Sequence, residues 1–100
     1  MKVIIMNKLD IHITILTGIR NNMELDDIAK NVFMDSKSSE FIEYLYGLYK
    51  ANYISGFDDE SFYPNAHGVM VSMHMYPLRT LVTTEGYAYL EKISDIVRKL

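Results

Sequence analysis

"LVTTEGYAYLEKI" (residues 81–93) changes character halfway through. Its first part is short and β-branched, the pattern of a strand. Its second part sets apolar side chains at helical spacing. Thr83 or Thr84 stands at the junction, where a hydroxyl can cap the first turn of a helix. That helix carries Tyr87, Leu90, Ile93, Val97 and Leu100 along one stripe. A strand that passes the chain straight into a closing helix implies a β-hairpin before it.

The preceding residues have that character. "YISGF" from Tyr53 reads as a strand, "DDESFYPNAHG" is rich in turn formers, and "VMVSMHMY" alternates as a second strand bounded by Pro77. "LRTLVTT" then finishes the hairpin or adds a short third strand.

Earlier still the period is helical. "NKLDIHITILTGIR" places Leu9, Ile13, Leu16 and Ile19 or Arg20 near one face, with Asn7 as cap and Asp10 three residues on. A strand reading competes, because Ile11, Ile13 and Ile15 alternate with His12 and Thr14; length favours the helix. Asn21-Asn22 is a turn, after which Leu25, Ile28, Ala29 and Val32 mark a short helix with acids at its positive end. A third helix starts from Asp35 or Ser36 and carries Phe41, Ile42, Leu45, Leu48 and Tyr49 to near Asn52. Gly47 inside it costs about 1 kcal/mol relative to alanine, which a close packing contact would explain.

The expected fold is therefore α+β, mostly α: a winged helix-turn-helix with a three-helix core, a β-hairpin wing and a C-terminal helix over 84–100. A length of 100 residues makes this one domain, with 1–6 either disordered or an extra N-terminal segment. Hydrophobic content of 49% argues against disorder. The chain has no cysteine, which removes disulfides, thiolate nucleophiles and cysteine-based zinc sites. The apolar run Val3–Met6 is too short for a secretory signal or a membrane span, so the expected location is the cytoplasm.

"ANYISG" followed by "LVTTEGYAYLEKI" resembles the small bacterial and phage winged-helix proteins grouped as YjcQ-like. Asn52, Tyr53 and Ile54 stand at that family's strand start. Val82, Thr83, Gly86, Tyr89, Leu90 and Glu91 stand at its hT-x-x-G-x-x-YL-E motif. The resemblance covers about residues 7–93, and its sharp part is the final motif, which is specific for fold. It implies a phage or mobile-element transcriptional regulator that binds double-stranded DNA. The departure lies in residues 55–80, where "DDE" replaces the Lys or Arg expected on a DNA-contacting wing.

On that reading the third helix enters the major groove, with Lys37, Ser38, Tyr44 and Lys50 as candidate contacts. Leu90, Ile93, Val97 and Leu100 have a three-four-three spacing that forms a candidate homodimer seam, or else packs on Leu9, Ile13 and Leu16 of the same chain. The net charge of −3 opposes phosphate binding. It favours the alternative of a protein-interaction module that engages or inhibits a host protein through Tyr46, Asp58, Asp59, Phe62 and Tyr63.

Other chemistry is not indicated. His12, His67 and His74 lack metal-ligand spacing, and methionines alternating on one strand fit core filling better than metal binding. Asp58, Asp59 and Glu60 are not followed by calcium-loop spacing. No nucleophile motif or Gly-rich phosphate loop occurs, so neither catalysis nor a cofactor is expected.

Overall fold

The computed structural model describes residues 6–57, 61–64, 66, 70–73 and 80–99. The architecture is α+β and mostly helical. Its order is α1 (Lys8–Arg20), α2 (Leu25–Asn31), α3 (Ser39–Lys50), β1 (Ile54–Ser55), β2 (Phe62–Pro64), β3 (Met70–Met73), β4 (Leu81–Val82) and α4 (Thr84–Arg98). Among the described residues, no helix is long and apolar enough to cross a membrane.

Residues 8–20 are helical, which settles the strand alternative. Asn7 caps α1 by accepting the Asp10 N–H at 2.9 Å. The buried face matches the expected one in part: Leu16 and Ile19 point inward, joined by Ile11, His12 and Ile15, while Leu9 and Ile13 are half-buried and Arg20 is exposed. With apolar residues on nearly every side of α1, the packing of α2 and α4 against it decides which face is covered. Gly18 belongs to this contact, since a Cβ there would lie 2.6 Å from Ile28 Cγ1.

The first three helices stop in the same way. The N–H two residues past the cap returns to the carbonyl four positions before the cap's successor: Met23 to Gly18, Met34 to Ala29 and Tyr53 to Leu48, each at 2.9 Å. Such a reversal needs a left-handed residue just beyond the cap. Asn22, Phe33 and Asn52 fill it, with φ of 62°, 61° and 65°. Asparagine tolerates this region; phenylalanine does so at a cost.

Helix α3 starts three residues later than Asp35. Ser38 is its cap, accepting the Phe41 N–H at 3.2 Å and donating to the Asp35 carbonyl at 2.7 Å. Asp35 instead forms the turn before the helix by accepting the Lys37 N–H, and Ser36 donates to the Asp26 carboxylate of α2.

The ribbon has two ladders. β1 pairs antiparallel with β4 and β2 with β3, with an irregularity between Tyr63 and Pro64. They are two separate two-stranded sheets, and the registers of both are centred near residue 68. β2 lies within the stretch whose Asp, Pro and Asn content predicts only a turn. Its anchor is tertiary: Phe62 is buried, stacked on Tyr49 at 5.6 Å and edge-on to Tyr46 at 5.1 Å. The distal ribbon therefore packs on α3, whose backbone also lies against β3.

The strand-to-helix junction explains the opening motif. Thr83 Oγ1 accepts the Gly86 N–H at 2.9 Å and donates to the Asn52 carbonyl at 2.6 Å. The Thr83 N–H donates to the Tyr53 carbonyl at 3.0 Å. One threonine thus ties the start of α4 to the end of α3. From there α4 packs on α1, with Leu90 and Ile93 buried inside the chain. Those two positions are occupied within the monomer rather than offered as a dimer seam; Val97 is half-buried, and Leu100 lies outside the described residues.

Candidate functional site

Helix α3 buries Phe41, Ile42, Leu45 and Leu48. Tyr44, Tyr46, Tyr49 and Tyr53, in the second half of α3 and just beyond it, divide between its two flanks. Tyr46 and Tyr49 join Phe57 and Phe62 under the ribbon, with ring centroids 5.1–6.5 Å apart. Tyr44 takes the other side, edge-on to His12 at 5.8 Å; Tyr89 meets the same imidazole at 5.7 Å and stacks on Tyr53 at 4.2 Å. Between the flanks runs an open strip in which Ser39, Glu40, Gly47 and Lys50 are exposed and Glu43 is half-buried.

Beside this strip lies a groove of about 710 Å³, within the range that holds small ligands or side chains of a partner. Tyr44, Tyr53 and Tyr89 line its aromatic wall, and Glu40, Glu43 and Gly47 line it from α3. Lys8 reaches it from α1, so two carboxylates face one ammonium.

Gly47 is unlike Gly18. Among the described residues a Cβ built at Gly47 meets nothing within 4 Å, so they do not supply the expected packing contact. An exposed glycine within a helix sacrifices about 1 kcal/mol against alanine, and here no neighbour requires it.

His12 fixes the groove's inner wall. It is buried, and its Nδ1 lies 2.7 Å from Tyr89 Oη. Burial, with Lys8 one turn away adding like-charge repulsion, lowers the imidazole pKa from its ordinary value. Burial and the neighbouring Tyr53 raise that of Tyr89. Both groups are therefore neutral at pH 7, and the pair is a hydrogen bond between α1 and α4, not an ion pair.

The four candidate DNA contacts are placed as follows. Lys37 precedes α3 and Lys50 ends it, the Ser38 hydroxyl is engaged in capping, and Tyr44 packs on His12 in the groove. Of the wing residues expected to meet a protein, Phe62 is buried, Tyr46 packs on it and Tyr63 is exposed; Asp58 and Asp59 lie outside the described residues. His67 and His74 also lie outside them. Among the described residues, no three His, Asp or Glu side chains converge as metal ligands.

The sequence reading did not find the groove. His12 and Tyr89 are far apart in the chain, and no pattern pairs them. Gly47 was the available signal, because it interrupts the outer side of an otherwise regular helix.

In comparisons with protein-family models, curated proteins and solved structures, the chain matches none of them.

Proposed function

We propose that this chain is a winged-helix domain that acts by binding a protein through the outer strip of α3 and the adjoining groove. Supporting the fold is the order of three helices, an antiparallel ribbon and a closing helix, with the Thr83–Gly86 motif seated at the ribbon's exit. That seating also accords with the resemblance to YjcQ-like proteins.

The observation that carries the functional reading is the charge of the helix-turn-helix segment. Residues 24–50 hold six acids (Glu24, Asp26, Asp27, Asp35, Glu40 and Glu43) against Lys30, Lys37 and Lys50. This segment alone has a charge of −3, equal to that of the whole chain. Phosphate contacts supply most of the affinity of a DNA reader, and a recognition unit with twice as many acids as bases repels the backbone. Lys37 and Lys50 bracket a helix about 18 Å long, with Glu40 and Glu43 between them. An acidic strip beside half-buried tyrosines suits a basic protein surface.

Fluorescence anisotropy with a random-sequence duplex at low salt tests the reading. Binding weaker than about 100 μM is expected, the non-specific limit for DNA-binding proteins. The double change Glu40→Lys, Glu43→Lys is expected to strengthen it. Tighter wild-type binding that collapses as salt is added would overturn the proposal in favour of a DNA-binding regulator.

A further inference from the structure

We propose that the groove beside α3 receives an arginine side chain from an extended segment of the partner protein, with Gly47 left bare so that the segment can cross the helix backbone. This rests on the protein-binding reading above and names the chemistry of the occupant.

Two features point to a guanidinium and a third to an extended main chain. The wall is aromatic: Tyr53 and Tyr89 stack with an interplanar angle of 7°, and Tyr44 stands across His12. Planar cations lie on such faces, arginine more often than lysine. The α3 side supplies Glu40 and Glu43 one turn apart, acceptors for the forked N–H donors of the same group. With Lys8 also in the lining, the two carboxylates leave the groove net acidic, which favours a cationic occupant over an acidic one.

Gly47 gives the third feature. Any side chain at this position would project into the space next to Glu43 and Glu40, four and seven residues back on the same helix face. Among the described residues its missing Cβ meets no atom beyond its own helix backbone, so no packing contact there calls for glycine. Glycine in this setting permits the close approach of another backbone. The occupant is therefore an extended peptide, with its arginine on the aromatic wall and its main chain over Gly47.

The test is amide chemical-shift mapping of the full chain, titrated with a short Gly-Ser peptide bearing one arginine. The control is the same peptide with neutral citrulline. Saturable shifts at Gly47, Glu43 and Tyr89 are expected with arginine, at least roughly tenfold weaker with citrulline. The double change Glu40→Gln, Glu43→Gln should weaken the arginine peptide by roughly fivefold to tenfold. Gly47→Leu should abolish the shifts while the remaining spectrum stays native. Arginine and citrulline peptides that behave alike up to about 10 mM, or a Gly47→Leu variant that binds unchanged, would overturn this inference and leave the broader reading standing. Shifts of the same α3 amides by duplex DNA alone would overturn both.

Discussion

The carbonyl oxygen of Tyr53 lies where a side chain at Gly86 would have to begin: a Cβ built on that glycine falls 2.0 Å from it. The first turn of α4 therefore touches the backbone that leaves α3, and only glycine permits the contact. Gly86→Ala should destabilise the fold by about 3 kcal/mol or more, because backbone cannot move aside as a flexible side chain does. Urea unfolding measures this, and an alanine variant within 1 kcal/mol of wild type, roughly the cost of a surface change, would contradict the packing.

Thr83 holds the same junction by hydrogen bonds. Thr83→Ala removes both the α4 cap and the donor to the Asn52 carbonyl, at an expected cost of about 1–2 kcal/mol. Thr83→Ser keeps the hydroxyl and should recover most of that loss in the same assay.

His12 makes stability depend on pH. Its pKa is lowered in the folded protein by burial and Lys8, while the rings of Tyr44 and Tyr89 meet it edge-on. The unfolded chain therefore binds the imidazole proton more readily. Stability from this group is complete above the ordinary histidine pKa of about 6.5 and falls as pH drops from there through the folded pKa. Thermal unfolding between about pH 7 and pH 5, above the range where most carboxylates titrate, should show the decline. His12→Phe should flatten it, and a wild-type profile already flat across that window would contradict the account.

Gly47 and Gly18 should respond oppositely to the same change. Gly47→Ala gains helix propensity in open space and should stabilise the protein by about 1 kcal/mol. Gly18→Ala sets a Cβ against Ile28 and should destabilise it. Chemical denaturation of the two variants side by side checks both signs.

Phe33 combines a left-handed backbone with 66% exposure. Neither the turn nor the core favours phenylalanine there. Phe33→Gly should raise stability by about 1 kcal/mol by relieving the left-handed penalty. A loss in thermal unfolding would show that the ring packs against the fold.

Much of this architecture was legible locally. Asn7 and Thr83 cap their helices through neighbours within one helical turn, so their type and spacing reveal that role. Asp35 was a plausible cap, yet Ser38 took that position because Asp35 was needed in the preceding turn. The short β2 was obscured by turn formers around Phe62, whose burial depends on Tyr46 and Tyr49 of another element. The buried face of α1 was ambiguous because isoleucines surround it. The groove was the least legible feature, since it depends on His12 meeting Tyr89 across 77 positions. Gly47 was visible as an anomaly, but only the surrounding atoms distinguish a tight packing site from an open floor.

The central claim is that α3 keeps a bare strip between two aromatic flanks. A proton–proton NOE spectrum of the full chain tests it at Gly47. Its α protons should show contacts only within α3, while the Phe62 ring shows contacts to Tyr46 and Tyr49. Cross-peaks from ribbon side chains to the Gly47 α protons would mean that the strip is closed, and would contradict the account.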